Sequence, residues 1–278
     1  MGALRRSTLA VLTVLALSAC GTVTGEPSAA PQTRGAADLV EARDRLARRA
    51  DVPTATAKPA LTRLPTPRPA GTKPTNDASR LRTLPADTTQ VIVVKASGFG
   101  TSTGTLQAFG KRGGNWTPAF DSMPARLGTK GFKDNKIEGD LATPTGVYSF
   151  GGTMYGIAGN PGVRYGYHKL VENDWWNENP ATEGYNSFFH GADPGGASEA
   201  LWETDPQYRY FAVINYNIPV READPPRGSG IFLHVSVDRG TAGCVALDES
   251  DLVKVLRWLD PAAKPRIVMA PASELDRY

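Results

Sequence analysis

The feature that most limits the fold of this 278-residue chain is a proline-rich stretch in its first third. Six of the 22 prolines fall close together, at Pro53, Pro59, Pro65, Pro67, Pro69 and Pro74. Proline fixes the φ angle and removes a backbone hydrogen-bond donor, which favours an extended chain over helices and sheets. We therefore predict a disordered tether rich in Pro, Ala, Thr and Arg at residues 20–86, and one folded domain at residues 87–278.

The predicted domain is dominated by short apolar runs of strand length. β-branched and aromatic residues recur in five such runs, at 90–95, 146–150, 210–216, 230–235 and 266–269. A hairpin is predicted around Gly113-Gly114, and one amphipathic helix is predicted after Asp248, over residues 252–259. Residues 160–206 are predicted to form long loops with short strands, either a binding lid or irregular filler. The patterns together predict a mostly-β domain with one or a few helices.

An export signal is predicted at the start of the chain. Arg5 and Arg6 precede an apolar run, residues 9–17, that is too short to span a bilayer as a finished helix. The tetrapeptide Leu17-Ser18-Ala19-Cys20 resembles a bacterial lipobox. Residues 1–19 are therefore predicted to be a lipoprotein signal peptide and Cys20 to carry the lipid, with an ordinary secretory signal as the alternative. We expect an exported lipoprotein at the cell membrane that faces the cell wall.

The charge distribution argues against nucleic acid as a partner. Residues 1–86 hold 13 Lys and Arg against 6 Asp and Glu, whereas residues 87–278 hold 18 against 22. A nucleic-acid-binding domain needs a basic face, and here the basic excess lies in the predicted tether. Such charge is typical of a solvated linker, although it could also contact anionic lipid or wall polymer.

A histidine and a cysteine at short spacing are the candidate chemistry. His234 ends an apolar run, and Cys244 follows the small turn of residues 240–243. A nearby imidazole can take the proton of a thiol and activate it as a nucleophile. The alternative is a buried small Cys and a core His. If Cys20 is lipidated, Cys244 is the one remaining thiol and has no disulfide partner, which favours the catalytic interpretation.

These residues resemble a known family. Gly230-Ile231-Phe232-Leu233-His234-Val235 followed by Thr241-Ala242-Gly243-Cys244-Val245 is similar to the catalytic motif of the L,D-transpeptidases of the YkuD type, in the branch with a short His-to-Cys spacing. Two further stretches, Thr143-Pro144-Thr145-Gly146 and Asn215-Tyr216-Asn217, resemble that family's strand start and the strand end before its motif. Many members carry His or Ser at the position of Ala242 and Arg or Asn at that of Ala246, so the chain departs from them there.

The resemblance implies a β-sandwich catalytic domain with defined roles. Cys244 would be the nucleophile, His234 the proton acceptor and donor, and the Val235 carbonyl would orient the imidazole. The backbone N–H groups of Ala242, Gly243 and Cys244 would form the oxyanion hole. The implied substrates are peptidoglycan stem peptides, as acyl donor and as acceptor, and the implied reaction is cysteine-dependent acyl transfer that cross-links the wall.

Other interpretations remain open from the sequence. The domain could be an L,D-carboxypeptidase-type hydrolase of the same stems, or a non-catalytic wall-binding lipoprotein. His190-Gly191 is a weaker candidate for the catalytic histidine than His234. We expect no cofactor and no metal, because His168 and His190 are predicted to lie in loops without Cys, His or Asp partners at metal-ligand spacing.

Overall fold

A computed structural model describes residues 75–278. The predicted signal peptide, Cys20 and most of the predicted tether lie outside the described residues. The strands are β1 (Gln90–Ala96), β2 (Thr103–Arg112), β3 (Asn115–Pro118), β4 (Met123–Arg126), β5 (Phe132–Lys133), β6 (Thr143–Pro144), β7 (Gly146–Tyr148), β8 (Phe150–Gly156), β9 (Gly166–Lys169), β10 (Asp174–Asn177), β11 (Ser187–His190), β12 (Glu199–Ala200), β13 (Phe211–Ile214), β14 (Phe232–Val235), β15 (Val245–Leu247) and β16 (Arg266–Pro271). The helical elements are α1 (Glu249–Trp258) and 3₁₀ helices at Asp77–Arg80, Leu201–Glu203, Gln207–Arg209, Pro261–Ala263 and Ala272–Arg277.

Eleven of the strands form one mixed sheet, which confirms the prediction of a mostly-β fold. The strand order is β7-β16-β1-β2-β4-β15-β14-β13-β8-β9, and β3 pairs with β2 beside this path. Most neighbours are antiparallel, but β14 and β15 run parallel to each other in the interior of the sheet. This parallel pair is the part of the sheet that carries the His–Cys motif.

Each face of the sheet packs against its own core. On β1, Ile92 and Val94 point into the larger core, where the apolar side of α1 packs. The alternate residues Val91 and Val93 point into a smaller core on the other face, because successive side chains of a strand point to opposite sides. A strand buried on both faces has a continuous apolar run in its sequence, as residues 91–94 do.

The folded part begins before the predicted boundary at residue 87. Ala78 is fully buried in the smaller core. The side chain of Asn76 caps the 3₁₀ helix Asp77–Arg80 through the N–H of Ser79 at 3.0 Å, and its amide donates to the Trp116 carbonyl at 2.8 Å. Residues 75–86 were predicted as tether because prolines precede them, but their few apolar side chains are enough to dock them on the sheet.

The predicted hairpin at Gly113-Gly114 joins β2 and β3. Arg112 pairs with Asn115 across a two-residue turn, and the φ angles of the two glycines are +55° and +83°. Positive φ at both central residues is the requirement of a tight hairpin turn whose twist matches the strands. Glycine meets it without steric cost.

Residues 160–206 contain short strands among long loops, as predicted, but the sheet that three of them form was not predicted. Strands β11, β10 and β12 form a separate three-stranded antiparallel sheet in this region, which we call the lid sheet. His168 lies on β9 and His190 on β11, and both hydrogen-bond to the buried carboxylate of Asp174, at 2.7 and 2.8 Å. The prediction that these histidines sit in loops without an Asp partner was therefore wrong.

None of the helices in residues 75–278 combines the length and apolar character that a membrane crossing needs.

Candidate active site

Strand pairing brings the predicted histidine and cysteine to one face of the sheet. In the parallel β14–β15 pair, Leu233 is opposite Val245 and His234 is opposite Ala246. Cys244 lies two residues before Ala246, so its side chain points to the same face as His234. Both side chains are nearly buried, with 7% exposure for Cys244 and 6% for His234. Both line one cavity of about 190 Å³.

The thiol of Cys244 is held by backbone groups of the neighbouring strand. Sγ donates to the Gly230 carbonyl at 3.2 Å and accepts the Phe232 N–H at 3.3 Å. His234 is not among the hydrogen-bond partners of this thiol. The S–H group therefore donates to a backbone carbonyl and not to the imidazole. The S–H bond would have to rotate about the Cβ–Sγ bond to turn the proton toward the cavity.

The imidazole of His234 is oriented by a backbone carbonyl and by an aromatic ring. Its Nδ1 lies 2.8 Å from the carbonyl oxygen of Val235, the orienting group that the family resemblance implies. With Nδ1–H donating to that carbonyl, Nε2 is the nitrogen with a free lone pair. The ring also packs edge to face on Tyr208, with centroids 5.7 Å apart. A backbone carbonyl and an aromatic ring thus take the place of a carboxylate.

The turn before Cys244 is built around a threonine hydroxyl and a glycine. Thr241 Oγ1 donates to the Cys244 carbonyl at 2.7 Å and accepts the Gly243 N–H at 3.1 Å. Gly243 has φ of +149°, and a Cβ there would lie 2.9 Å from the Ala142 carbonyl oxygen. Glycine is therefore required both by the backbone angle and by the space.

The three N–H groups predicted as an oxyanion hole are not equivalent. That of Gly243 is already committed to the Thr241 hydroxyl. Within residues 75–278, the N–H groups of Ala242 and Cys244 have no protein acceptor among the turn and loop hydrogen bonds. Two donors are thus available to a developing oxyanion instead of three.

Thr143, which is far from Cys244 in the sequence, contacts the turn that carries the thiol. Thr143 begins the Thr-Pro-Thr-Gly segment, and its hydroxyl accepts the Gly128 N–H at 2.8 Å and lies 3.5 Å from the Cys244 carbonyl. The Gly128 N–H and the Cys244 carbonyl are thereby satisfied by the same buried side chain. The segment that resembles the family's strand start therefore acts as a brace for the turn that carries the thiol.

The lid sheet contributes carboxyl groups that sequence reasoning missed. Glu199 of β12 lines the cavity with Cys244 and accepts a hydrogen bond from the Tyr208 hydroxyl. Glu178 follows β10, and its Oε1 lies so close to Gly230 that a Cβ there would be 1.8 Å away. The Gly230 carbonyl in turn accepts the thiol proton. No local motif marks either glutamate, because only the fold of residues 170–203 brings them to the site.

Burial and the nearby carboxyl groups determine the protonation states of Cys244 and His234. Burial raises the pKa of the Cys244 thiol and Glu199 raises it further, while the Phe232 N–H and Lys136 oppose the rise. Burial lowers the pKa of His234 to about 4, against the opposing effect of the Val235 carbonyl. Burial also raises the pKa of Glu178 to about 8, and neighbouring Glu199 adds to it. At neutral pH the resting pair is therefore an uncharged thiol and an uncharged imidazole.

Residues 75–278 hold no group of three or more His, Cys, Asp and Glu side chains arranged to bind a metal ion.

The whole of this arrangement lies inside one match to a known family. Residues 90–268 match the L,D-transpeptidase catalytic domain, YkuD, over more than half of the chain. The chain belongs to the L,D-transpeptidase family. Its L,D-transpeptidase domain includes His234, Cys244 and the brace at Thr143, and the predicted membership is thereby confirmed. The family relates the domain to cell-wall chemistry.

Solved structures give distant similarity. The helical cell shape determining protein Pgp2 from Campylobacter jejuni is 17% identical with a TM-score of 0.34, and the match covers 65% of this chain and 48% of that one. Bd1075 from Bdellovibrio bacteriovorus is 19% identical with a TM-score of 0.34, over 71% of this chain and 55% of that one. The L,D-transpeptidase chain thus spans about half the length of these proteins. No curated protein matches it.

Proposed function

We propose that the domain is a cysteine-dependent acyltransferase that acts on the stem peptides of peptidoglycan. The observation that carries the proposal is the pairing of an uncharged thiol and an uncharged imidazole on one cavity wall. Nδ1 of His234 is committed to the Val235 carbonyl, which leaves Nε2 as the general base for Cys244.

In the first half-reaction, Sγ attacks the carbonyl that joins an L-centre to a terminal D-residue. The S–H proton passes to Nε2 of His234 as the C–S bond forms, and the N–H groups of Ala242 and Cys244 stabilise the oxyanion. Collapse of the tetrahedral intermediate breaks the C–N bond, and His234 returns the proton to the departing amine. The products are a thioester on Cys244 and a free D-residue.

In the second half-reaction, an amine of a neighbouring stem attacks the thioester carbonyl. His234 accepts the proton of the amine and returns it to the sulfur as the C–S bond breaks, so the thiol is regenerated and a new amide cross-links two stems. Attack by water instead releases a shortened stem. The first outcome is transpeptidation and the second is L,D-carboxypeptidase-type hydrolysis.

The test is covalent capture of the thiol. A carbapenem, an acylating lactam, is expected to add its mass to the full chain once, and Cys244→Ala is expected to remove the adduct. His234→Ala should slow acylation by at least about 10²-fold, the loss typical of a positioned base. An unmodified mass after prolonged exposure would favour a non-catalytic wall-binding role. Turnover of a stem peptide with and without an acceptor amine, followed by mass spectrometry, separates transfer from hydrolysis.

The proposal includes export and anchoring through Cys20. It is supported by the basic and apolar start of the chain and by the lipobox-like sequence before this cysteine. Cys20→Ala should move the protein from the detergent phase to the aqueous phase in phase partitioning. An unchanged distribution would remove the lipid anchor from the proposal and leave the acyl-transfer chemistry intact.

A further inference from the structure

A second and larger cavity lies beside the segment that leads to Gly230. Its volume is about 440 Å³, which is in the range of small-ligand sites, and its walls include Lys136, Tyr148, Tyr216, Arg221, Arg227 and Arg266. Two features relate it to the thiol. Lys136 Cε lies 3.5 Å from the position that a Cβ on Gly243 would take, and Arg227 precedes by three residues Gly230, whose carbonyl accepts the Cys244 thiol proton.

The cavity carries an excess of positive charge. Among its lining residues Asp134 supplies a carboxylate, but Arg277 already pairs with it at 3.2 Å. Lys136 is neutralised in turn by Asp140 at 2.8 Å. Of the ion pairs formed within residues 75–278, none includes Arg221, Arg227 or Arg266.

Three arginines that line one cavity and form no ion pair with a carboxylate favour an anionic ligand. Guanidinium presents a planar fork of donors that matches a carboxylate, and the pair is stronger than a hydrogen bond between neutral groups.

The Asn215–Asn217 segment, which precedes Arg221 in the chain, is held in place by side-chain hydrogen bonds. Asn215 donates to Ser149 Oγ at 2.9 Å and to the Phe150 carbonyl at 3.0 Å. Asn217 accepts the Arg221 N–H at 3.0 Å and donates to the Gly228 carbonyl at 3.0 Å. This Asn-Tyr-Asn segment thus holds the loop around it in place before any ligand arrives, which lowers the entropic cost of binding.

Arg227 lies against the aromatic floor of the cavity. The Tyr216 hydroxyl donates to the Arg227 carbonyl at 2.7 Å, and the rings of Tyr148 and Tyr216 pack edge to face with centroids 5.8 Å apart. Burial raises the pKa of Tyr216 to about 12, and the positive charge of Arg227 works against that rise, as it does at Tyr148. The guanidinium is therefore near both hydroxyl groups, each of which already donates its proton to a backbone carbonyl, that of Arg227 or that of Thr145.

We propose that this cavity is an anion subsite that binds a free carboxylate of the peptide whose carbonyl Cys244 attacks. The inference rests on the proposed function, because it assigns the donor stem peptide as the source of the carboxylate. Arg221 and Arg227 are the principal ligands, and Arg266 completes the positively charged wall. The subsite would select donors with free carboxylates over amidated ones.

The test measures binding separately from turnover. In a full chain that carries Cys244→Ala, calorimetry would compare a stem tetrapeptide that has free carboxylates with the same peptide amidated at those groups. We expect about tenfold tighter binding of the free form, the scale of one or two charge-assisted hydrogen bonds. Adding Arg221→Gln and Arg227→Gln should abolish that preference. Arg112→Gln, at an exposed arginine of the β2–β3 hairpin, is the matched control and should retain it.

The folding of the arginine variants has its own readout. In the chain that retains Cys244, the double variant should keep the wild-type melting temperature and the wild-type rate of iodoacetamide alkylation. Equal binding of the two peptides, or a preference that survives in the double variant, overturns the subsite. Arginine-dependent binding of a glycerol phosphate oligomer with no peptide preference also overturns it and points to a wall polymer instead. If the preference holds but no stem or carbapenem acylates Cys244, the proposed function fails and the subsite stands.

Discussion

Replacing Gly243 by alanine tests whether the turn positions the thiol. The residue has φ of +149°, a conformation that residues with a Cβ rarely adopt. Holding a non-glycine residue in such a region costs about 1–3 kcal/mol. The new Cβ would also lie 2.9 Å from the Ala142 carbonyl oxygen and 3.1 Å from Ile231 Cδ1. Overpacking of this kind costs about another 1–3 kcal/mol.

The two contributions together predict destabilisation by about 2–6 kcal/mol, a large part of the 5–15 kcal/mol that holds a typical domain. At about 2–4 °C per kcal/mol for a domain of this size, the melting temperature should fall by about 4–24 °C. Gly152→Ala is the matched control, because no atom lies within 4 Å of a Cβ at that exposed strand position. The control should change the melting temperature by no more than about 2 °C, in line with ordinary surface substitutions.

Calorimetric melting of the full chain gives the stability, and carbapenem acylation at a temperature where Gly243→Ala is still folded gives the reactivity. Relief of the clash with Ala142 requires the turn to rotate, which would displace the N–H groups of Ala242 and Cys244. Acylation should therefore slow by about 10-fold or more, the scale of losing part of an oxyanion hole. Wild-type melting together with wild-type acylation would refute the argument that glycine is required here.

Three other substitutions test the charges of the domain. Glu199→Gln should lower the pKa of Cys244 and speed its alkylation at pH 8 by roughly three- to tenfold, since removing a nearby negative charge favours the thiolate, whereas the exposed Glu203→Gln should not. Burial alone would raise the pKa of Asp174, but its hydrogen bonds from the Val171 N–H and two histidines hold it below its ordinary value. Its stabilisation is therefore present above the unfolded-state pKa and lost as pH falls through the folded-state pKa, and Asp174→Asn should cost about 1–3 kcal/mol in urea unfolding at pH 7 and less in acid. The pKa of His234 falls from 6.5 to about 4 on folding, so stability present above pH 6.5 should decline by about 3 kcal/mol toward pH 4, and His234→Gln should flatten that decline.

The parts of the fold that sequence could predict are those with a local physical signature. The apolar run at 90–95 became β1, buried on both faces, and Gly113-Gly114 became a tight turn because both positions need positive φ. The predicted helix after Asp248 runs from Glu249 to Trp258, and its apolar residues Leu252, Val255 and Leu256 are buried as their spacing indicated. The His234–Cys244 spacing placed both side chains on one cavity because adjacent parallel strands keep alternate residues on one face.

The features that the sequence did not predict depend on contacts between residues far apart in the chain. Glu199 lies on strand β12 of the lid sheet and Glu178 directly follows strand β10, and the pairing of these short strands has no local signature in the sequence. The Asp174 carboxylate joins two histidines from different strands, which no spacing rule indicates. The commitment of the Gly243 N–H to a hydroxyl likewise depends on a side-chain rotamer that the sequence does not specify.

The protonation state of Cys244 in the absence of substrate affects how readily this thiol would be oxidised if the protein is exported as proposed. In the proposed exported setting, Cys244 has no disulfide partner, and oxidation of a cysteine follows its thiolate character and exposure. Burial and Glu199 both act against the thiolate, and the Gly230 carbonyl holds the proton. A peptide carbonyl in the cavity changes this balance, since the proton can then pass to His234 as the C–S bond forms. We therefore expect slow alkylation by small reagents together with fast acylation by a bound donor, and a thiol that reacted readily with both would contradict the uncharged resting pair.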